Sequence, residues 1–122
     1  VLLHAICDAL LGALALCDIG VHFPNTDPAY KDIDSKVLLQ KTFDMIRARE
    51  YEVVNIDCSV CLEAPKIKKH VPEMQQAIAA ILRITPNDIS IKAPTTELMG
   101  FVGRGEGLMA YATVLLQHRS TR

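Results

Sequence analysis

The 122-residue chain has almost no net charge, at −1 with histidines neutral. That balance excludes a general electrostatic attraction to nucleic acid or to an anionic membrane. Long hydrophobic runs are missing too. The first apolar stretch is broken by His4, Asp8 and Asp18, so no segment reaches the roughly 20 residues that span a bilayer. A second cysteine pair is also lacking. Only Cys58 and Cys61 form a Cys-x-x-Cys, and on a strand they point to opposite faces, which argues against a zinc ribbon or any shared metal. With Cys7 and Cys17 they read as buried, reduced thiols of a cytosol-like compartment. No internal repeat or low-complexity segment is present. Neither a methionine nor a capping residue precedes the helical periodicity of "VLLHAICDALLGALAL", and from this the sequence is expected to lack its natural N-terminus.

What is present is a globular composition, half hydrophobic and about a fifth charged, at a length typical of one domain. Residues 2–17 hold strong helix formers with apolar side chains on nearly every side, which predicts a deeply buried helix. Residues 17–34 carry two prolines and four acids and read as a long functional connection. A second helix follows over 35–50, capped by Asp34 or Ser35, with Val37, Leu38, Met45 and Ile46 as its apolar positions.

Residues 51–63 alternate with period two. Val54, Ile56, Cys58, Val60 and Leu62 share one face, and Val53, Asn55, Asp57, Ser59 and Cys61 the other. A third helix is expected from Pro72 to Arg83, then a "TPND" turn, a short strand at 89–93 and a last strand at 108–117. The order is helix, helix, strand, helix, strand, strand, with further strand partners expected upstream. The fold class is therefore α/β (α+β): a small mixed sheet with helices packed on one face. The last strand is apolar on both faces, with Leu108, Ala110, Ala112, Val114 and Leu116 on one and Met109, Tyr111 and Leu115 on the other. Its second face needs cover from another subunit, so patterning alone predicts an oligomer.

Four places carry side chains suited to chemistry. "KAPTTELMGFVGRGEG" (92–107) combines Lys92 and Arg104 as cationic donors, Thr95 and Thr96 as hydroxyl donors, Glu97 as a hard-cation ligand and glycines that permit close approach. It suits an anion site, or it is a glycine-rich turn with solvated charges. His4 sits one turn before Asp8 on the same helix face, as a metal ligand or as a histidine bonded to a carboxylate. "CDIGVHFPNTDP" offers Asp18 and Asp27 to sugar-like hydroxyls, or to ordinary turn bonds. "EAPKIKKH" places Pro65 and three lysines where a chain leaves a sheet, a usual place for ligands, or a solvated turn.

Taken in order, "LLHAICDALLGALALCDIGVHFPNTDPAYK", "LEAPKIKKHVPEM" and "KAPTTELMGFVGRGEG" resemble the 2-C-methyl-D-erythritol 2,4-cyclodiphosphate synthase family of the non-mevalonate isoprenoid pathway. The resemblance covers essentially the whole chain, and "GFVGRGEG" is highly specific to it. It implies a lyase that cyclises 4-diphosphocytidyl-2-C-methyl-D-erythritol 2-phosphate and releases CMP, working as a homotrimer in the cytoplasm or in a plastid stroma. It further implies that His4 is a zinc ligand, completed by an Asp-x-His pair upstream of Val1. Asp18, Ile19 and Gly20, with Phe23, Pro24, Asn25, Thr26 and Asp27, match the loop around the methylerythritol moiety. Leu62, Glu63, Ala64, Pro65, Lys66, Ile67 and Lys68 match the cytidine pocket.

The same resemblance makes Thr95 the transition-state stabiliser, with Pro94 and Thr96 beside it. Glu97 becomes the ligand of a second cation, Mg²⁺ or Mn²⁺, at the diphosphate. Phe101 and Arg104 match residues at a three-fold axis, where an apolar cavity holds an isoprenoid diphosphate. The chain departs from the family at Pro94, where threonine is usual, at Asn25 for aspartate and at Leu98 for lysine, and the upstream Asp-x-His and His-Ser are absent. Two other readings stand beside this one: the cyclase half of a bifunctional cytidylyltransferase-cyclase, and an impaired trimer that binds isoprenoid diphosphates.

Overall fold

In a computed structural model, the described residues are 1–62, 67–94, 100–103 and 107–121, without the side chains of 101, 103 and 121. Helix α1 (Leu2–Ala13) buries Leu2, Ile6, Cys7, Leu10 and Leu11 on one side. It is not enclosed all round: His4, Asp8 and Gly12 are exposed. It also stops four residues short of the expected end. Leu16 N–H bonds to the Leu11 carbonyl at 2.9 Å and Ala15 N–H to Gly12 at 3.0 Å, a helix-ending pair of bonds that puts Ala15 at φ 56°. Glycine usually takes that position, so the stop has no signature in the sequence.

The acidic connection contains a short helix not expected from periodicity, α2 (Ile19–His22). Helix α3 (Ser35–Ala48) begins at Asp34, whose Oδ1 accepts from Lys36 N–H at 2.8 Å. Its buried side is Leu38, Leu39, Thr42, Phe43 and Ile46, while Val37 is 46% exposed. The expected stripe was therefore turned by about one position. Thr42 Oγ1 is satisfied by the Leu38 carbonyl at 2.9 Å, as a fully buried hydroxyl requires.

Strands β1 (Tyr51–Cys61), β2 (Ile89–Lys92) and β3 (Met109–His118) form a mixed sheet in the order β2-β1-β3. β1 runs parallel to β2 and antiparallel to β3. Between β1 and β2 lie a 3₁₀ turn at Lys68–His70 and helix α4 (Val71–Leu82), closed by Arg83 in the left-handed region. The "TPND" turn is a 3₁₀ turn in which Thr85 and Asp88 cap one another. A short helix α5 (Gly100–Gly103) precedes β3.

One expected strand face is corrected. Val53 pairs with Leu116 but Asn55 pairs with Leu115, so β1 carries one extra residue there, a β-bulge. The bulge reverses alternation: Val53 joins Ile56, Cys58 and Val60 on the buried face, and Val54 leaves it. Together with Ile89, Ile91 and the half-buried Ala110, Ala112, Val114 and Leu116, these residues meet α1, α3 and α4 in one core. Truncating a fully buried member such as Ile6 or Leu10 would cost about 2–5 kcal/mol. The opposite sheet face bears no helix among the described residues, and Met109, Tyr111 and Leu115 are exposed on it at 36, 56 and 53%. Among the described residues no helix is long and apolar enough to cross a membrane.

Candidate functional site

Three segments leave the sheet at one end. β1 and β2 are parallel and finish there, and β3, antiparallel, begins there, with Cys61 opposite Met109. Leu62 follows β1 directly and Lys92 ends β2, with Pro94 just beyond, so "LEAPKIKK" and "KAPTTE" start from neighbouring points. Helix α1 lies against β3, and an open groove runs from His4 and Asp8 to Ala110 and Ala112 near that same end. The fold thus sets the starting points of two candidate segments, Leu62 and Lys92, at one end of the sheet, where the His4–Asp8 groove reaches β3.

The described part of this region is a cavity of about 420 Å³. His4 borders it from α1; Ile19 and Gly20 from α2; Phe23, Pro24 and Asn25 from the turn after it. All six were singled out in the sequence. Tyr30, Asp32, Ile33 and Leu38 complete the lining and were not. Tyr30 and Asp32 belong to the same acidic connection, which was the only available sign of them. Tyr30 meets Phe23 edge-on at 5.3 Å between ring centroids, a favoured aromatic geometry that stiffens one wall.

Hydrogen bonds hold this loop from several directions. Asp8 Oδ1 accepts from Ile19 N–H at 2.9 Å, and Asp18 Oδ1 accepts from Val21 N–H at 3.1 Å. Asp27 Oδ1 accepts from Ala29 N–H at 2.9 Å, and His22 Nε2 donates to the Leu16 carbonyl at 2.6 Å. Asp18 and Asp27 therefore each spend one oxygen on their own backbone, and neither they nor Thr26 line the cavity. His4 Nε2 lies 3.3 Å from Ser35 Oγ at the start of α3.

Other candidates are placed differently. Leu62 and Ile67 are half-buried against the core, Lys68 is exposed in its 3₁₀ turn, and Pro94 is exposed after β2. Lys92 Nζ is paired with Asp57 Oδ2 at 3.0 Å on the open sheet face, so it is already engaged by a carboxylate. Glu63, Ala64, Pro65, Lys66, Thr95, Thr96, Glu97, Leu98 and Arg104, and the side chain of Phe101, lie outside the described residues.

The thiols are free. Cys7 and Cys58 are buried, Cys61 is half-buried on the opposite sheet face from Cys58, and Cys17 is exposed, contrary to its expected burial. Burial pushes the Cys7 and Cys58 thiols up to about 11.

As a metal centre, the described residues are incomplete. A catalytic zinc commonly takes three protein ligands, and among the described residues no group of three or more His, Cys, Asp or Glu side chains gathers. His4 contributes one exposed imidazole at the cavity, and Asp8, its neighbour on α1, is turned to Ile19 N–H.

Comparison with known proteins gives this geometry a context. The YgbB family model matches residues 1–117. A 2-C-methyl-D-erythritol 2,4-cyclodiphosphate synthase from Bacteroides fragilis (strain YCH46) is 58% identical over 116 residues, covering 95% of this chain and 73% of its own. Among solved structures, the bifunctional IspDF from Campylobacter jejuni superposes with TM-score 0.92 at 41% identity, over 97% of this chain and 32% of that one. A 2C-methyl-D-erythritol-2,4-cyclodiphosphate synthase in a CDP-bound form superposes with TM-score 0.86 at 30% identity, over 94% of this chain and 74% of that one.

Proposed function

Because the chain belongs to the YgbB family alongside the 2-C-methyl-D-erythritol 2,4-cyclodiphosphate synthases, it is an enzyme of that type, and we propose that His4 and the 18–27 loop form the polyol-binding end of its site. The reaction converts 4-diphosphocytidyl-2-C-methyl-D-erythritol 2-phosphate to the 2,4-cyclodiphosphate. An oxygen of the 2-phosphate forms a bond to the β-phosphorus, the bond from that phosphorus to the CMP oxygen breaks, and CMP leaves with the electron pair. No covalent bond to protein is needed, so the rate depends on positioning and charge stabilisation.

The observation that carries the site reading is the single cavity shared by His4, Ile19, Gly20, Phe23, Pro24 and Asn25. Its Phe23–Tyr30 wall suits the carbon skeleton and its methyl group, while Asn25 and the α2 backbone suit hydroxyls. Asp32 on the lining repels phosphate, so this end takes the neutral polyol and leaves the phosphates to cationic partners. The cytidine side is assigned to Leu62–Lys68, which leaves β1 at the same end of the sheet. The 94–97 segment leaves β2 beside it, and Thr95 is assigned the role of stabilising the transferring phosphate.

Divalent cations, when bound, would neutralise phosphate charge; His4 is proposed as one ligand of zinc and Glu97 as the ligand of a second ion, Mg²⁺ or Mn²⁺. The assembly is proposed to be a homotrimer, supported by the bare apolar sheet face. Phe101 and Arg104 are proposed to face an axial cavity that accepts an isoprenoid diphosphate. The bifunctional arrangement is the second reading, supported by the Campylobacter jejuni likeness.

The test is direct. Full-length protein incubated with the diphosphocytidyl substrate and Mg²⁺ should release CMP in equal amount to a cyclic diphosphate seen by ³¹P NMR. CMP release without the cyclic product, or neither, would overturn the assignment.

A further inference from the structure

Asp8 is not among the residues assigned to substrate or metal, yet among the described residues its side chain hydrogen-bonds α1 to the start of α2. It lies one turn after His4 on the exposed side of α1. Its Oδ1 accepts the Ile19 backbone N–H at 2.9 Å, across eleven residues of sequence. Ile19 opens α2, and Ile19 and Gly20 border the cavity together with His4.

A helix of four residues cannot hold its own shape, because nucleation costs more than so few bonds return. α2 is held instead by carboxylates at both sides of Gly20: Asp8 on Ile19 N–H and Asp18 on Val21 N–H. Asp18 is part of the same loop and can move with it. Asp8 is anchored in α1, whose Ile6, Cys7 and Leu10 are fully buried. Ile19 and Phe23 also pack against the core, but among the described residues the Asp8 bond is the side-chain hydrogen bond that references the loop backbone to the helix carrying His4.

We infer that Asp8 is a positioning residue for the cyclisation, setting the Ile19–Gly20 backbone against the His4 imidazole across the polyol end of the cavity. The inference rests on the site reading given above. The bond is exposed to solvent, where a charged acceptor competes with water better than a neutral one does. That accounts for a carboxylate in this place without giving it contact to substrate. The neutral amide of asparagine keeps an oxygen of the same reach and should hold the loop less firmly.

The experiment pairs kinetics with hydrogen–deuterium exchange in the full-length enzyme. Asp8→Ala should lower kcat/KM about tenfold, the size expected for one charged hydrogen bond, with most of the loss in KM. Exchange in the 17–23 segment should rise by about the same factor, while exchange in α3 is unchanged. Asp8→Asn should recover most of both effects. Asp44→Ala, which removes an exposed α3 carboxylate bonded to Gln40, serves as the control and should change neither.

Three results would overturn the inference. Exchange in 17–23 could be unaffected by Asp8→Ala. Asp8→Asn could be as impaired as alanine, which would make the charge itself the functional element. Or kcat could fall at constant KM with a lowered Tm, the signature of lost folded enzyme. Should the unmodified enzyme form no cyclic product, the proposed function fails, and the exchange arm still decides whether Asp8 holds the loop.

Discussion

Ser59 and Tyr111 are direct cross-strand partners on the sheet face that carries no helix among the described residues, and Tyr111 is 56% exposed there. Leu115 continues the same row opposite Asn55, at 53% exposed. A bare apolar row beside a Lys92–Asp57 ion pair is an unusual way for a sheet to meet water.

The first prediction follows from that row. Covering a side chain such as Leu115 is worth about 1.5–3 kcal/mol, and in a homotrimer the gain is repeated at each subunit. Tyr111→Glu with Leu115→Glu should convert the trimer to monomer without loss of helical signal. Light scattering beside circular dichroism checks both parts, and a monomeric unmodified protein at micromolar concentration would sink the proposed assembly.

His4 is exposed, and among the described residues its ring nitrogen lies 3.3 Å from Ser35 Oγ, so replacing it should leave Tm nearly unchanged. Zinc affinity of the full-length protein should nevertheless fall by at least about 100-fold in His4→Ala. Removing a group that merely orients a ligand already costs 10–100-fold, and a ligand costs more. Competition with a chromogenic chelator would measure it. Unaltered affinity would remove His4 from the metal site.

Thr95 and Glu97 should separate kinetically. Thr95→Ala should lower kcat by about 10²–10³, since a donor aimed at developing charge matters most in the transition state. Glu97→Gln should instead raise the Mg²⁺ concentration needed for half-maximal rate, because an amide is the weaker ligand for a hard cation. CMP release across a Mg²⁺ series tests the pair. An unchanged kcat in the first, or an unchanged Mg²⁺ requirement in the second, would return the segment to a glycine-rich turn.

The cysteines give a pH prediction with a definite sign. Cys7 and Cys58 hold their protons to about 11 in the folded chain, against an ordinary value of 9.0. Between those values the unfolded chain has released protons that the folded chain keeps, so stability should fall as pH rises from about 9 toward 11. Exposed Cys17 should be alkylated before either of them. Urea midpoints at pH 8 and 10, with Cys7→Ala/Cys58→Ala as reference, would show the excess slope. Equal slopes in the two proteins would reject the assignment.

Sequence periodicity alone was enough to locate three long helices and three strands, because burial of one face imposes period 3.6 or 2 wherever an element meets the core. It also separated Ala110, Ala112, Val114 and Leu116 from Met109, Tyr111 and Leu115 on the two faces of β3, although Leu108, expected with the first set, precedes the strand and is exposed. The motif residues His4, Ile19, Gly20, Phe23, Pro24 and Asn25 were legible as candidates. Only the folded chain shows them around one cavity.

What tertiary structure decided has a common cause. α1 ends where Ala15 accepts a left-handed backbone normally reserved for glycine. β1 changes face at Val54 through one unpaired residue. α2 is tied at its start to Asp8, eleven residues away, which takes the Ile19 amide, and Lys92 is drawn to Asp57 from the next strand. Tyr30, Asp32 and Ile33 from the connection and Leu38 from α3 share the cavity with His4 only in the folded chain. Local propensity and periodicity act through neighbours in the chain, whereas each of these outcomes depends on a bond or contact formed in three dimensions, which a linear pattern does not encode.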